Sequence, residues 1–376
     1  MAKTVFILGA GASAEAGAPV MADFLDRARE EWPQEGMAYQ PAFKDVFDAI
    51  SRLQSVHSKA TMDFKNIENI FAAFEMARLF GRLGDLKETD VERLVVSIQT
   101  LIVRTLERRV LFENHDLISK LFALKAPRPV DWFGRIVALL HSRGDSVAIL
   151  TFNYDVALDA ALASQGIKID YGLSAAGYLP DTLPLLKLHG SLNFGSCKQC
   201  GVVAWSIEDY LKALSLGAFV RPDYLGPSHP GKLRLKIGSE IQHYNHCNDT
   251  AGCAPQPVIV PPTWSKGTRY NEIRNVWRHA AGELSEAESV YIIGYSWPNS
   301  DEFFHHLYAL GTVGPELLLN VVVIDKEASV AKRYYDDLLG QQAQQRFDSF
   351  VGNFSVALTQ YLLPKLRLDD HAGSFR

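Results

Sequence analysis

An imidazole, a carboxamide and a carboxylate each follow directly on a short apolar segment of this sequence. Asn153 and Asp155 come after the segment 146–151, and His189 ends the segment 183–189. An imidazole can accept or donate a proton near neutral pH, and the other two groups can hold hydroxyls or water by hydrogen bonds. The same residue types also have structural uses, because a histidine after a strand is commonly a hydrogen-bonded structural residue and Asn and Asp commonly cap helices. The residues alone leave both interpretations open.

A glycine-rich turn follows the first apolar segment, Thr4–Leu8. Its residues 9–14 match the G-x-G-x-x-A pattern of dinucleotide-binding turns. Gly9 permits a tight turn, Gly11 lets the backbone approach a diphosphate, and the next helix would direct its N–H groups there. A dehydrogenase-type fold carries an acidic residue about 20 positions further on, but residues 27–33 read as a helix end and a loop. Either the turn is not a dinucleotide cradle, or its ligand lies differently from that of a dehydrogenase; the rest of the chain favours the second.

The elements that must position these groups are predicted strands alternating with helices. Strands are predicted at 4–8, 146–151, 183–189, 257–262, 289–293 and 318–324. A helix is predicted over 14–31, and only helices are predicted after Asp325. This alternation predicts an α/β fold with a doubly wound, mostly parallel sheet. Since such sheets bind ligands at the carboxyl ends of their strands, we expect the polar residues after the strands to meet in one crevice.

Two stretches of different character interrupt this alternation. Residues 40–126 carry apolar residues at helical spacing without a strand-like segment, which predicts a helical insertion. We expect most of its residues to pack in the core of a helical bundle, and its further use is either as a lid over the site or as a subunit interface. Residues 191–256 hold all four cysteines. The predicted organisation is a Rossmann-like dinucleotide-binding domain (1–39, 127–190 and 257–376), the insertion (40–126) and a small module (191–256).

The cysteines form two pairs, Cys197-x2-Cys200 and Cys247-x5-Cys253. Four thiolates with a closely spaced first pair suit Zn²⁺ in a closed structural site, and His243 and His246 are near enough to replace a cysteine. Free thiols, or a degenerate module that has lost its metal, are the alternatives. We expect no catalytic metal.

Composition indicates a folded protein and excludes some functions. The 376 residues are 47% hydrophobic and 22% charged, and the net charge is −5. A net negative charge does not indicate a basic surface that would bind nucleic acid or an anionic membrane. No apolar run is long enough to span a bilayer. We see no signal peptide and expect a cytoplasmic protein.

Taken in order, the motifs resemble the sirtuin-like superfamily, specifically the bacterial sirtuin-like domains of antiphage defence systems. The motifs are residues 9–13 with 16–19, 151–155, 188–191, 197–200 and 293–296. The resemblance implies that NAD is the substrate and that its nicotinamide–ribose bond is cleaved. It implies that Asn153 holds the ribose or water, that His189 is the general base, and that Asp155 contacts nicotinamide or orients the loop. A structural zinc is also implied, because sirtuins carry a zinc module at this place.

The resemblance also implies which residues bind the cofactor. They are Gly9, Ala10, Gly11, Ala12, Ser13, Gly17, Pro19, Gly294, Ser296 and Asp325. Gly294 and Ser296 are expected at the phosphate or ribose end. Asp325 either accepts hydrogen bonds from the adenosine ribose or caps the next helix.

Two departures separate this chain from sirtuin deacylases. Those enzymes follow the glycine loop with Asp-Phe-Arg, where this chain has Val20-Met21-Ala22, and their substrate-pairing strand ends in Phe-Gly-Glu. Here Pro261 and Pro262 remove two backbone donors, which weakens pairing with a peptide. We therefore expect water as the acceptor, giving nicotinamide and ADP-ribose.

Such a chain is expected to be the NAD-depleting effector of an antiphage system. The resemblance implies a homo-oligomer, or a partner such as a HerA-type ATPase, that keeps it inactive. The alternatives are an NAD-dependent deacylase and a non-catalytic NAD or ADP-ribose sensor that gates a partner protein. No direct nucleic-acid or membrane binding is expected.

Overall fold

The computed structural model describes residues 3–55, 62–114, 124–215, 223–225, 229–247, 254–260, 269–298, 301–314 and 316–375. The strands are β1 (Lys3–Leu8), β2 (Arg82–Leu83), β3 (Leu86–Lys87), β4 (Phe112–Glu113), β5 (Ser146–Thr151), β6 (Ile169–Asp170), β7 (Leu183–Lys187), β8 (Gly190–Cys197), β9 (Gly201–Ala204), β10 (Asp223–Tyr224), β11 (Lys232–Arg234), β12 (Gln256–Ile259), β13 (Ser289–Ile293), β14 (Asn320–Asp325) and β15 (Phe347–Val351).

The helices, apart from short 3-10 and π turns, are α1 (Ala10–Ala14), α2 (Phe24–Glu31), α3 (Gln40–Ser55), α4 (Ile67–Phe80), α5 (Glu88–Arg109), α6 (Val130–Ser142), α7 (Ala157–Ser164), α8 (Ile207–Ser215), α9 (Arg269–Glu272), α10 (Arg274–Ser285), α11 (Glu302–Gly311), α12 (Ala328–Arg333), α13 (Gln341–Gln344), α14 (Phe354–Ala357) and α15 (Leu363–Lys365).

Seven of the described strands form one parallel sheet in the order β15-β14-β13-β1-β5-β7-β6. Strand β1 lies at its centre, where Val5, Phe6 and Ile7 are fully buried. A strand buried on both faces needs a continuous apolar run, which is why the sequence identified β1, β5 and β13. The predicted α/β fold with a parallel sheet is confirmed.

The prediction that only helices follow Asp325 is wrong, because β15 extends the sheet beyond β14. This strand has one neighbour, and two of its residues, Ser349 and Val351, are exposed. An edge strand needs no unbroken apolar run, so its sequence, Phe-Asp-Ser-Phe-Val, does not stand out from a helix.

The single helix predicted over 14–31 is also wrong. Helix α1 ends at Ala14, and α2 starts at Phe24 after an irregular turn. Gly17 in this turn has φ +96°, and a Cβ there would lie 2.7 Å from the carbonyl oxygen of Arg109 at the end of α5. The break therefore lets the chain pass close to the insertion.

Three long helices, α3, α4 and α5, occupy residues 40–109, as their apolar spacing predicts. The prediction that residues 40–126 contain no strand is wrong, since β2 and β3 form a hairpin and β4 pairs with β11. Buried ion pairs join helix α5 to the end of α2 and to the segment after it: Arg108 Nε lies 2.8 Å from Glu31 Oε2, and Arg104 Nη2 lies 3.1 Å from Glu35 Oε2.

A second, smaller sheet lies beside the main one, with the order β12-β8-β9 and antiparallel pairing. Strand β8 begins at Gly190, so the chain enters this sheet directly after His189. Gly190 has φ +81°, and a Cβ on it would lie 2.1 Å from the carbonyl oxygen of Val258. Of the helices that the structure describes, none is long and apolar enough to cross a membrane.

Candidate functional site

A cavity of about 370 Å³ opens at the carboxyl ends of β1, β5, β7, β13 and β14. Ten residues predicted from the sequence line it: Ala10, Gly11, Ser13, Pro19, Asn153, Asp155, His189, Gly294, Ser296 and Asp325. Gly9, Ala12 and Gly17 are not among the lining residues. Loops that are far apart in the chain thus meet at one opening, as the topology of a parallel sheet requires.

The glycine turn is built against the loop that follows β13. Gly9 N donates to Ile293 O at 3.0 Å, and Gly11 N donates to Gly294 O at 2.8 Å. A Cβ on Gly11 would lie 2.7 Å from Gly294 Cα. Glycine is therefore needed at position 11 so that the two loops can approach each other this closely. The sequence predicts a long helix over 14–31 whose positive dipole end would face the turn. Helix α1 has only five residues, so its dipole is much weaker than that of the predicted helix.

Asn153 is fixed by the glycine turn. Its Nδ2 donates to Gly9 O and to Ser13 Oγ, both at 2.9 Å, and its backbone N donates to Thr151 Oγ1 at 3.1 Å. Both donors of the carboxamide are therefore used inside the protein. The side-chain oxygen is the atom that remains to accept a hydrogen bond from a ligand in the cavity.

Asp155 has both a structural contact and a place in the cavity wall. Its Oδ1 accepts a hydrogen bond from Ala157 N at 3.0 Å, which is the turn-forming use considered above. Burial raises the pKa of Asp155, while the positive charge of Lys187 and hydrogen bonds from Ala157 N and Ser13 oppose the rise. Asp155 is therefore easier to protonate than an exposed aspartate.

Lys187 holds the loop of Asp155 from inside the protein, although the sequence analysis did not single it out. Its side chain is 1% exposed, and its Nζ lies 2.8 Å from Asp155 O, from Ser191 Oγ and from Asp159 Oδ2. A buried ammonium group needs such partners to offset its lost hydration. The chain segments that end at Asp155 and begin at His189 are thereby linked.

His189 lies between aromatic rings and a carboxylate. The residue is 4% exposed, and its ring meets the edge of Phe152 with centroids 4.9 Å apart. Its Nε2 lies 3.4 Å from Asp301 Oδ2, without the alignment of a hydrogen bond. His189 is therefore held in place by packing, with one ring nitrogen towards Asp301.

Asp301 and Tyr295 are site residues that the sequence analysis missed. Asp301 is fully buried, and its Oδ2 accepts a hydrogen bond from Tyr295 OH at 2.6 Å. Tyr295 stacks on Phe152 with ring centroids 4.1 Å apart, and Phe304 packs against both rings. The available signal was an aspartate in the loop between the predicted Gly294-Tyr295-Ser296 turn and the next helix.

Asp325 forms a turn before α12 and does not cap this helix, whose N-cap is Glu327. Its Oδ1 accepts a hydrogen bond from Glu327 N at 2.9 Å, immediately before α12. The carboxyl group also lines the cavity, and burial raises its pKa. Ribose binding by Asp325 stays a prediction.

Part of the cavity wall comes from the predicted insertion, a contribution that no sequence motif marked. Asn66 and Glu68 at the start of α4, and Leu106 of α5, line the opening. Asn66 caps α4 by accepting a hydrogen bond from Glu68 N at 2.8 Å, which places the buried Glu68 at the cavity. The helices of this region therefore form a wall of the site.

The lining is acidic. Its carboxylates are Glu68, Asp155, Asp301, Asp325 and Glu327, against the single lysine Lys326. Burial, with the charges of Glu68 and Asp301, raises the pKa of Tyr154 well above its ordinary value; burial and Asp301 do the same for Tyr295. Both phenols stay protonated donors, and the cavity favours a ligand group that carries positive charge.

A separate cluster of three cysteines and one histidine lies in the small module. Ligand atoms of Cys197, Cys200, His246 and Cys247 all lie within 4.8 Å of one another. His246 Nδ1 lies 2.8 Å from Tyr244 O, which leaves Nε2 as the ligand nitrogen. Three thiols and an imidazole at this spacing fit a structural Zn²⁺ site. The fourth predicted cysteine, Cys253, lies outside the described residues, and His246 takes the fourth position in the cluster.

The edge of β12 is already bonded by side chains. Ile259 O accepts a hydrogen bond from Gln99 Nε2 of α5 at 3.3 Å, and Val260 O accepts one from Tyr154 OH at 2.9 Å. Val260 N donates to His189 O at 2.8 Å. Pro261 and Pro262, which were expected to weaken peptide pairing here, lie outside the described residues.

Comparison with known proteins gives a similarity in fold only. No protein-family model matches this chain, and no curated protein does. Solved structures of Sir2 proteins are similar to it at 14% identity. Sir2 with a p53 peptide and NAD⁺, and Sir2Tm bound to a propionylated peptide, both have a TM-score of 0.41 and cover 97% of this chain and 94% of theirs. A Sir2 homologue mutant in complex with ADP-ribose has a TM-score of 0.40 and covers 100% and 94%. These values assign neither a substrate nor a reaction to this chain.

Proposed function

We propose that this protein hydrolyses the nicotinamide–ribose bond of NAD⁺ to nicotinamide and ADP-ribose. The observation that carries the proposal is the meeting of Asn153, Asp155 and His189 with the glycine turn around one cavity. The acidic lining suits one end of the ligand, because the nicotinamide ring of NAD⁺ is a cation and its ribose gains positive charge as the bond breaks; it does not suit the anionic diphosphate.

In the proposed reaction, water attacks C1′ of the nicotinamide ribose. The new C1′–O bond forms as the C1′–N bond breaks, and the bonding electron pair goes to nicotinamide, which leaves as a neutral molecule. His189 accepts the proton of the attacking water. Asn153 Oδ1, whose amide partners are Gly9 O and Ser13 Oγ, accepts a hydrogen bond from a ribose hydroxyl or from that water.

Water is proposed as the acceptor because two carbonyls of the segment expected to pair with a peptide already accept hydrogen bonds within the protein. Gln99 donates to the carbonyl of Ile259, the last residue of β12, and Tyr154 donates to that of Val260 just after it, so a strand that paired with these carbonyls would have to displace both side chains. Val20, Met21 and Ala22, which stand where deacylases have Asp-Phe-Arg, line the cavity with apolar side chains.

The biological role proposed with this activity is depletion of NAD as the effector of a bacterial antiphage system. An oligomer, or a partner such as a HerA-type ATPase, would hold the enzyme inactive until infection. Cellular NAD should then fall after phage infection of cells that carry the wild-type chain, and not in cells that carry Asn153→Ala. An equal fall in both strains would contradict the effector role.

The enzymatic proposal is tested by incubating the purified protein with NAD⁺, with and without an acylated peptide, and following nicotinamide release by chromatography. We expect release without peptide, loss of release in Asn153→Ala and His189→Ala, and normal release in His141→Ala, a surface histidine outside the cavity. Release that requires peptide would identify a deacylase instead. Binding of NAD⁺ without turnover would identify a sensor.

A further inference from the structure

Asp301 is a buried carboxylate next to the histidine that the proposed function uses. It is fully buried, and its Oδ2 lies 3.4 Å from His189 Nε2. A buried carboxylate beside a buried imidazole stabilises the imidazole when it takes up a proton. In sites without substrate, catalytic hydrogen bonds are often longer than they become in the complex. The separation of 3.4 Å is therefore compatible with a functional pair.

The surroundings hold this carboxylate in one orientation. Tyr295 OH donates to the same oxygen at 2.6 Å, and Tyr295 O in turn accepts a hydrogen bond from Tyr334 OH at 2.9 Å. Asp301 N donates to Pro298 O at 2.9 Å, and Phe304 N donates to Asp301 O at 3.1 Å. Both side-chain and backbone bonds thus fix Asp301 at the start of α11.

The histidine is fixed from its other sides by packing. Phe152 meets its ring edge-on and is itself stacked on Tyr295, so Tyr295 contacts Asp301 through its hydroxyl and Phe152 through its ring. An imidazole held in this way can turn little about its side-chain bonds. Its Nε2 faces Asp301, and Nδ1 is the ring nitrogen that remains for the substrate.

We propose that Asp301 is a positioning residue that holds His189 in the tautomer with a proton on Nε2. This inference rests on the proposed NAD hydrolysis. The proton of the attacking water then passes to Nδ1, and the resulting imidazolium is stabilised by the carboxylate. The pairing follows the logic of the aspartate in a Ser-His-Asp triad, in which the carboxylate orients the imidazole without taking its proton.

Two substitutions separate the charge of Asp301 from its packing. Asp301→Asn keeps the shape and can still accept from Tyr295, and we expect kcat for nicotinamide release to fall by about 10²-fold or more with KM changed less than threefold. Tyr295→Phe keeps the ring stack and removes one hydrogen bond to Asp301. We expect it to lower kcat about 3–10-fold.

Tyr308→Phe is the matched control. Tyr308 belongs to the same aromatic cluster, with its ring centroid 6.0 Å from that of Phe304, and it is 4% exposed. In the described part of the chain its hydroxyl has no hydrogen-bond partner, and it does not line the cavity. Removing this hydroxyl should leave kcat and KM unchanged.

Nuclear magnetic resonance of protein labelled with ¹⁵N-histidine tests the pair without relying on turnover. The His189 signals are identified by their loss in His189→Ala. We expect a protonated Nε2 and an unprotonated Nδ1 at pH 8, a shift of both signals in Asp301→Asn or Tyr295→Phe, and no shift in Tyr308→Phe.

The outcomes distinguish failure of this inference from failure of the proposed function. If the His189 signals respond to Asp301→Asn but the wild-type protein releases no nicotinamide, the pair stands and the hydrolysis fails. If the wild type hydrolyses NAD⁺ while Asp301→Asn changes neither the signals nor kcat, the inference is overturned. If Asp301→Asn does not fold, Tyr295→Phe decides by the same two measurements.

Discussion

Two groups of buried polar side chains adjoin the loop 153–155, and they differ in how the protein satisfies them. In the first, which we call the Lys187 cluster, Lys187 has three oxygen partners at 2.8 Å, and Asp159 accepts a further bond from Tyr171 OH at 2.8 Å. In the second, the cavity cluster of His189, Asp301, Tyr295 and Asp155, His189 Nε2 has no hydrogen bond in the described part of the chain.

This difference separates a structural role from a functional one. A buried ammonium group with three oxygen partners, such as that of Lys187, stabilises one conformation and offers nothing to a ligand. Polar groups at the wall of an opening, whose hydrogen bonds are incomplete without a ligand, can complete them when a substrate binds. We therefore expect changes in the Lys187 cluster to affect folding, and changes in the cavity cluster to affect turnover more than stability.

The largest expected effect on stability is that of Lys187→Met. It leaves the fully buried Asp159 without its cation, and it should lower the free energy of unfolding by about 3–5 kcal/mol. Urea denaturation measures the change. Adding Asp159→Asn should recover part of the loss, because the unpaired charge is then removed. Equal stability of Lys187→Met and the wild type would show that the cluster does not hold the fold.

The cluster of three cysteines and His246 gives the next test, because its thiols and imidazole are arranged as the ligands of one metal ion. His246→Ala should lower the zinc content from about one ion per chain to less than half, and lower Tm by several degrees. Elemental analysis and thermal denaturation measure these quantities. His243→Ala is the control, since His243 is not in the cluster. Zinc retained in His246→Ala and lost in His243→Ala would reverse this assignment.

Gly294→Ala examines the contact between the loops that form the cavity. Gly294 has φ +60°, and a Cβ would lie 2.4 Å from Ala12 N, so the two loops must separate. We expect a loss of about 2 kcal/mol in the free energy of unfolding, together with weaker NAD⁺ binding measured by calorimetry. Gly340→Ala should change neither, because that glycine has no atom within 4 Å of an added Cβ.

The smallest effect is expected at Glu240, a carboxylate with an unbonded oxygen that lies outside the cavity in the described structure. Burial raises its pKa from 4.5 to about 7, helped by Glu107 and opposed by Lys236. Because the raised pKa belongs to the folded state, its contribution to stability is present below pH 4.5 and is lost as the pH rises through 7.

Glu240→Gln removes this ionisation. Its Tm should match the wild type near pH 4.5 and exceed it by a degree or two above pH 7, with unchanged NAD⁺ turnover. Thermal denaturation across this pH range measures the difference. Loss of turnover in Glu240→Gln would contradict the comparison, since a carboxyl group that does not line the cavity would then matter to function.

The sequence was sufficient where local patterns carry the information. The central strands are continuous apolar runs, so β1, β5 and β13 could be predicted together with the polar residues that follow them. The sheet topology then accounts for the meeting of Asn153 and His189 at one opening. Their chemical roles stay predictions.

Features that depend on tertiary contacts could not be predicted in this way. Nothing local marks Glu68 as part of the cavity wall, because its position follows from how α4 packs beside the sheet. Lys187 looks like an ordinary strand-end lysine until its partners are seen. The edge strand β15 and the break after α1 were missed because a half-exposed strand and a glycine turn lack an apolar run that identifies them.

The most direct test of the central claim is the product balance of the reaction without peptide. NAD⁺ is incubated with the wild-type protein and with His189→Ala, and nicotinamide and ADP-ribose are quantified by liquid chromatography and mass spectrometry. We predict equal amounts of both products from the wild type and a loss of at least 10²-fold in His189→Ala. Equal rates in the two proteins, or no ADP-ribose from either, would contradict the account.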